Sequence, residues 1–283
     1  MPPMRAIEAS GLGENIEQLC LEISTDLPPD VTEALGSFSK KEESPAGRSV
    51  LELILENARV ASELGVPICQ DTGVFTIYLT LGEGTAIVGD LDLEASQAVA
   101  RATGRGALRP SVISDPLGGR INTGDNTPPL VEVKAGSSET TTLGVIAKGG
   151  GSEMASRLAM MPPGAGWEGA LDFIAGVVER LGARACPPLV LGVGVGGSFE
   201  RAPRLAKKAL MRPLDVETTD PVMRVREEEL VERMNRLGIG PGAVGGTVTC
   251  IGARILEAPC HMATLPVAVS VNCHALRRKT VQI

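Results

Sequence analysis

The segment Cys69-Gln70-Asp71-Thr72-Gly73 places a thiol, an amide and a carboxyl group at consecutive positions of the chain. It lies between residues 45–64, whose apolar side chains have helical spacing, and residues 74–81, which alternate like a strand. The five residues are therefore predicted to form a turn, where backbone groups and side chains can converge on a ligand. A simple helix-to-strand turn carrying a buried cysteine is the alternative from these residues alone.

Two further cysteines, Cys186 and Cys273, lie in turns at predicted strand boundaries, as Cys69 does. The sequence contains no C-x-x-C pair, which argues against a zinc knuckle or a ferredoxin-type electron carrier. Six cysteines could form three disulfides. We expect a large cytosolic chain, however, in which free thiols or metal ligands are favoured over disulfides.

The other three cysteines have different surroundings. Cys20 lies on the apolar stripe of a predicted helix and Cys250 lies within a predicted strand, so we expect both in the core. Cys260 adjoins His261 and is the main rival for a ligand role.

Two polar segments have the residues to bind an anion. Residues 104–129 form a glycine-rich stretch with several arginines, and a loop of that length in a compact domain is usually functional or disordered. Its near-lack of Ser or Glu low complexity favours a functional loop. Within it, the guanidinium of Arg109 suits a carboxylate, although these residues alone favour an ordinary surface arginine. Lys148-Gly149-Gly150-Gly151-Ser152 precedes a predicted helix at 153–160, so its N–H groups are expected to form an anion site. A flexible turn is the alternative.

Residues 189–197 contain a formal G-x-G-x-x-G between a predicted strand and a predicted helix, a pattern of dinucleotide-binding folds. The strand is short, it begins at a double proline, and no second strand ending in an acidic residue follows. We therefore interpret these glycines as the means of close packing against the strand.

Helices and strands alternate through most of the chain, which predicts an α/β (mixed α+β) fold with mixed β-sheets flanked by helices in a single domain, 1–283. Helices are predicted at 16–23, 31–35, 45–64, 93–103, 167–181, 201–211 and 224–237, and further strands at 130–133, 140–147, 247–256 and 267–271. The strands at 130–133 and 140–147 are expected to form a hairpin. The charged residues 40–43 are predicted to be a solvated linker. Residues 277–279 are predicted to be a tail that is exposed or reaches toward a partner.

Composition narrows the classes of function. The chain has 283 residues, 43% of them hydrophobic, and a net charge of −7, which argues against a nucleic-acid partner. Residues 1–5 lack the apolar core of a signal peptide and no apolar run is long enough to cross a bilayer, so we expect a cytoplasmic protein without a membrane partner.

Several blocks together resemble class I iron–sulfur fumarate hydratases and the related L-tartrate dehydratases. In family order, the blocks are Pro67-Ile68-Cys69-Gln70-Asp71-Thr72-Gly73, Asn122-Thr123-Gly124-Asp125-Asn126-Thr127-Pro128, Lys148-Gly149-Gly150-Gly151-Ser152-Glu153, Ala185-Cys186-Pro187-Pro188, and His261 with Leu265-Pro266-Val267 and Cys273. They run from about residue 45 to the C-terminus. The chain resembles the α subunit, or N-terminal half, of such an enzyme.

The resemblance implies a [4Fe-4S] cluster held by Cys69, Cys186 and Cys273. With three thiolates, one iron stays open and can act as a Lewis acid on a substrate hydroxyl and carboxylate. The resemblance also implies catalytic and substrate-binding residues around that iron. These are Asp71 and His261 as the catalytic pair, and Gln70, Arg109, Gly150 and Gly151 as substrate-binding residues. The alternatives for the pair are an aspartate that only forms an Asx-turn and a histidine of the core. His274 is the alternative functional histidine, although support of the Cys273 turn is the favoured role.

The reaction that the resemblance implies is the reversible hydration of fumarate to malate. The family's C-terminal half carries the group that removes the carbon-bound proton, so a separate β subunit is expected to complete the site in an α2β2 hetero-oligomer. L-tartrate dehydratase is the second choice of substrate. A non-catalytic iron–sulfur redox sensor is the alternative from a different class.

Overall fold

The computed structural model describes residues 5–283. The expectation that residues 1–5 are not part of a signal peptide concerns mainly residues 1–4, which lie outside that range. The helices are α1 (Ala9–Thr25), α2 (Pro29–Ser39), α3 (Pro45–Leu64), α4 (Leu91–Arg105), α5 (Gly150–Ala155), α6 (Gly166–Leu181), α7 (Arg201–Ala209) and α8 (Pro221–Asn235). The strands are β1 (Arg5–Glu8), β2 (Val74–Leu81), β3 (Thr85–Val88), β4 (Leu130–Ala135), β5 (Thr142–Lys148), β6 (Arg157–Met161), β7 (Leu189–Gly196), β8 (Cys250–Ala258), β9 (Leu265–Asn272) and β10 (Arg277–Gln282). The predicted mixed α/β class is confirmed.

The chain divides into two compact units. The first contains the residues up to Pro28, Ala58–Gly150 and Arg277–Ile283, and the second contains Pro29–Asn57 and Gly151–Leu276. The description of 1–283 as one domain stays a prediction. In the described part of the chain, no helix is long and apolar enough to cross a membrane.

The first unit is built on a four-stranded sheet with the order β10-β5-β2-β4, and a parallel pair of β1 and β3 lies apart from it. Helices α1 and α4 pack together, and their apolar faces form one core with the sheet. Leu12 and Ile16 of α1 are fully buried in this core, as are Phe75 and Ile77 of β2. The apolar residues whose alternation predicted strand β2 are therefore the ones that it buries in this core.

The predicted hairpin of β4 and β5 is wrong, because β2 lies between these two strands. Strand β2 pairs in parallel with β4 and antiparallel with β5. The connecting segment crosses the end of β2 and bonds to it there: Gly136 N donates to the Leu81 carbonyl (2.7 Å) and Glu83 N to the Ser138 carbonyl (2.8 Å). The apolar β2 thus takes an interior position of the sheet, between β5 and β4, and has two hydrogen-bonded neighbours.

The second unit contains a sheet with the order β6-β9-β7-β8. Helices α6 and α8 contribute apolar side chains such as Ile174 and Leu230 to its core. Helix α7 lies against β7, and a Cβ atom at Gly192 or Gly194 would collide with the backbone of α7 at Ala206 or Ala202. The interpretation of this glycine-rich strand as a close-packing surface is confirmed.

The predicted helix at 153–160 is wrong in its second half. Helix α5 ends at Ala155, and β6 follows as an edge strand that pairs antiparallel with β9. Residues 158–161 carry apolar side chains that suit a helix or a strand, and pairing with the edge of the sheet at β9 makes them a strand. By contrast, α3 begins as predicted: the Ser44 hydroxyl accepts a hydrogen bond from Gly47 N (3.3 Å), and Pro45 is the first helical residue.

Glu42 corrects the prediction that residues 40–43 are a solvated linker. Its side chain is 1% exposed. The carboxylate accepts hydrogen bonds from three backbone N–H groups, those of Ser44 (2.8 Å), Thr247 (3.0 Å) and Val248 (2.8 Å). Burial raises the pKa of Glu42, but these N–H donors outweigh that effect and hold the pKa below its usual value. Glu42 therefore anchors the start of α3 to the loop before β8.

We expect Glu42→Gln to destabilise the protein by about 2 kcal/mol, because an amide NH2 would face backbone donors in place of a carboxylate oxygen. A folded-state pKa below the unfolded value gives a contribution that is present above the unfolded pKa and lost as the pH falls through the folded pKa. The stability difference between wild type and variant should therefore shrink on acidification. Urea unfolding at neutral and acid pH measures it, with Glu43→Gln at the exposed neighbour as the control. An equal difference at both pH values would contradict the assignment.

Candidate active site

Asp71 is held in the predicted turn through its backbone and its side chain. Its N–H donates to the sulfur of Cys69 (3.4 Å). Its carboxylate accepts from Gly73 N (3.0 Å) through one oxygen and from Gly150 N (2.7 Å) through the other. An N–H donor to a cysteine sulfur stabilises a thiolate, and two N–H donors fix the orientation of a carboxylate. All of these residues belong to the first unit.

The glycines around Asp71 are required by close backbone approach. Gly73 has φ +77°, and a Cβ atom there would collide with the Lys148 carbonyl. A Cβ at Gly149 would lie 2.7 Å from Oδ2 of Asp71. The glycine run after Lys148 therefore binds a carboxylate, as an anion site was predicted to do, but this carboxylate belongs to the protein's own Asp71.

Arg277 contacts this turn from strand β10, a position that no sequence motif predicted. The prediction of an exposed tail at 277–279 is wrong for two residues, since β10 pairs with β5 and both Arg277 and Arg278 are buried. The Nη2 atom of Arg277 donates to the backbone carbonyl of Asp71 (2.9 Å). A run of basic residues near a chain end normally indicates solvent exposure, and only the strand pairing reveals their burial.

Arg109 lies in the long loop after α4 with its side chain exposed. The loop is ordered by Asn126, whose fully buried amide donates to the Arg109 carbonyl (3.2 Å) and to the Thr103 hydroxyl (3.2 Å). The side-chain oxygen of Asn126 accepts from Ser111 N (2.5 Å). The backbone at Arg109 is thereby fixed, while its guanidinium stays accessible to solvent.

The turns that carry Cys186 and Cys273, both in the second unit, are joined by a contact of His274. Cys186 is exposed and has a left-handed backbone, with φ +53°. The Nδ1 atom of His274 lies 3.0 Å from the Cys186 carbonyl oxygen, to which it can donate. Cys273 N donates to the hydroxyl of Ser152 (3.2 Å). His274 thus connects the two cysteine turns, a wider role than the predicted support of one.

The remaining cysteines separate into buried and exposed thiols. Cys20 and Cys250 are fully buried, and burial raises the pKa of both thiols, that of Cys250 to about 12. Such thiols resist the deprotonation that a metal ligand requires. Their predicted place in the core is confirmed. Cys260 is exposed, and its thiol contacts the Thr264 carbonyl oxygen (3.3 Å).

The other predicted site residues lie on the surface. Gln70 is exposed in the first unit and His261 is exposed in the second. The Nδ1 atom of His261 accepts a hydrogen bond from Ala263 N (3.1 Å), which leaves the other ring nitrogen for a different partner. Gly151 lies against the chain beside Cys186, since a Cβ there would lie 2.8 Å from the Arg184 carbonyl oxygen. The pairing of His261 with Asp71 stays a prediction.

The predicted cluster ligands are divided between the units, with Cys69 in the first and the other two in the second. Across residues 5–283, no group of three or more His, Cys, Asp or Glu side chains stands ready to hold a metal ion. The chemistry of the donor set nevertheless fits an iron–sulfur cluster. None of the three forms a disulfide and none is fully buried, and the Cys69 sulfur has an N–H donor, a contact that tunes such clusters.

Comparison with known proteins gives consistent matches over almost the whole chain. The family model described as Fumarate hydratase (Fumerase) matches residues 13–282. The chain is 36% identical over 279 residues to the "Putative L(+)-tartrate dehydratase subunit alpha" of Methanocaldococcus jannaschii, covering 96% of this chain and 97% of that protein. It is 32% identical over 274 residues to the L(+)-tartrate dehydratase subunit alpha of Escherichia coli K12, covering 96% and 90%.

An α/β chain with a cysteine–carboxylate turn and further cysteines at strand ends suits the α subunit of a hydro-lyase. The chain belongs to the fumarate hydratase (Fumerase) family, and it corresponds to the α subunit of the two-subunit members. The resemblance stated from the sequence motifs is thereby confirmed.

Proposed function

We propose that this chain is the α subunit of a [4Fe-4S] hydro-lyase that hydrates fumarate reversibly to malate together with a separate β subunit. The observation that carries the proposal is the turn at Asp71, where the N–H bonds to the Cys69 sulfur and the carboxylate is oriented by two backbone donors. The family membership supports the reaction class.

Cys69, Cys186 and Cys273 would hold the cluster. When bound, the cluster would supply a Lewis acid through the iron that no protein thiolate ligates. The chain's own contribution begins with these three thiols and with the N–H of Asp71, which stabilises negative charge on the Cys69 sulfur.

The carboxylate of Asp71 is proposed to hold or transfer the proton at the substrate hydroxyl that leaves as water. Its fixed orientation suits this role, because general acid–base catalysis needs the group within hydrogen-bond reach of its target. His261 would exchange that proton with Asp71, since a carboxylate and an imidazole can each favour the charged form of the other.

The substrate is a small dicarboxylate, and its recognition is proposed to involve four positions. The exposed guanidinium of Arg109 can bind a carboxylate through two parallel hydrogen bonds. The amide of Gln70 can bond to either a hydroxyl or a carboxylate. Gly150 and Gly151 would let the substrate approach the backbone closely, because neither has a side chain.

The partner is proposed to be a β subunit, which the name subunit alpha of the relatives supports. The proposed assembly is an α2β2 hetero-oligomer. The β subunit would supply the group that removes the proton from carbon and further basic residues for the second carboxylate. The chain alone is therefore expected to bind the cluster without turnover. We also propose a cytoplasmic location for the assembled enzyme.

L-tartrate is the second candidate substrate, and the names of the relatives favour it. Anaerobic reconstitution of the chain with iron and sulfide, alone and with a candidate β subunit, tests both substrates in one experiment. We expect turnover only in the presence of the β subunit, and the kcat/KM values for malate and L-tartrate identify the substrate. A reconstituted cluster without turnover of either compound would favour a redox sensor.

A further inference from the structure

Arg277 is a buried cation whose charge is not balanced by any ion pair with the described residues. Its side chain is 3% exposed. Among residues 5–283, no carboxylate forms an ion pair with it, and its Nε atom has no hydrogen-bond partner. An unpaired charge is unfavourable inside a protein, so a buried arginine normally has an anion beside it.

The contacts of Arg277 lead to the cysteine turn. The guanidinium of Arg277 donates to the backbone carbonyl of Asp71 (2.9 Å). The backbone N–H of Asp71 in turn donates to the Cys69 sulfur (3.4 Å). Both backbone polar groups of Asp71 are thus hydrogen-bonded: its carbonyl to Arg277, and its N–H to the predicted cluster ligand Cys69. A hydrogen bond from a charged donor is stronger than one from a neutral donor, so Arg277 fixes this turn firmly.

We propose that Arg277 is a positioning residue for the Cys69–Asp71 turn, and that its charge balances the negative charge of a thiolate-bound cluster there. The inference rests on the proposed function, because the compensating anion is the cluster with its thiolate ligands. Arg277 should therefore contribute more to the stability of the loaded protein than to that of the empty protein. A role limited to packing would affect both forms equally.

The test compares Arg277→Met with wild type in the full-length chain, empty and after anaerobic reconstitution with iron and sulfide. Methionine keeps much of the aliphatic volume and removes the charge. We expect Arg277→Met to release iron to a chelator about tenfold faster, a factor that corresponds to ~1.4 kcal/mol. The rise in Tm on loading should also be smaller than in wild type, because the stabilisation that a ligand gives the folded state grows with the logarithm of its affinity.

Lys279→Met is the matched control, because Lys279 lies on the same strand with an exposed side chain that pairs with Glu22 (2.7 Å). It should release iron at the wild-type rate. Arg277→Lys keeps the charge and should recover most of the retention, and Arg277→Gln replaces the methionine variant if the latter does not fold. Equal loss of Tm in the empty and loaded forms, with unchanged iron release, would overturn the inference. Wild type that takes up no iron would instead overturn the proposed function.

Discussion

Asp71→Asn is expected to lower turnover of the reconstituted αβ enzyme at least about a hundredfold while the iron content stays at the wild-type level. The factor is the usual contribution of one general acid or base. An amide cannot accept and release a proton in this pH range. Its one oxygen can keep the bond from Gly73 N, whereas its NH2 group cannot accept the bond from Gly150 N. The iron content should persist because the sulfur contact uses the backbone N–H of Asp71, which the substitution leaves in place.

Asp115→Asn is the control for the turn itself. Asp115 also accepts two backbone hydrogen bonds, from Gly118 N (2.9 Å) and Gly119 N (2.7 Å), and it belongs to the same unit. The same chemical change at this turn should leave turnover within about twofold of wild type, as at an ordinary surface position. If both variants lost activity equally, or if Asp71→Asn kept near-normal turnover, Asp71 would be a structural turn residue.

The local signals in the sequence predicted the elements well. The helical spacing before Cys69 and the alternation after Gly73 correspond to α3 and β2. Capping by Ser44 and the first-turn proline also located the beginning of α3. These features depend on residues a few positions apart, so one sequence contains the information needed to predict them.

Long-range contacts account for what the sequence did not predict. The bond between Arg277 and Asp71 joins residues that are 206 positions apart, and the same separation applies to Glu42 and Val248. Both Arg277 and Glu42 belong to charged runs, which normally predict solvent exposure. Charge alone could not reveal that Arg277 would bond to a backbone carbonyl and Glu42 to a set of backbone N–H groups inside the fold.

The sheet order shows the same limit. Strands β4 and β5 follow one another in sequence with a glycine between them, which favours a hairpin. Their position on either side of β2 depends on the competition of all strands for partners. Strand β2 is more apolar than β4, which lies at the edge of the sheet. The site residues near β2 and β5 were therefore identified by motif, while their mutual contacts required the structure.

Replacement of Cys69, Cys186 or Cys273 by serine is expected to remove most of the iron from the reconstituted chain, and with it all turnover. A serine hydroxyl is a poor substitute for a thiolate in iron–sulfur ligation, and a four-iron cluster with two remaining thiolates is held weakly. Iron and sulfide content per chain, measured anaerobically together with the visible absorbance, reports the result without depending on activity or on the β subunit.

Cys20→Ala and Cys250→Ala should keep the full iron content, because burial raises the pKa of both thiols and leaves them protonated. Some loss of Tm is expected in these two variants, since each leaves a small cavity in the core. Cys260→Ser is the decisive control, because Cys260 is an exposed free thiol next to His261 and is therefore the main rival ligand. Loss of iron in Cys260→Ser together with retention in Cys186→Ser would transfer the ligand role to Cys260, and the proposed three-thiolate site would then be wrong.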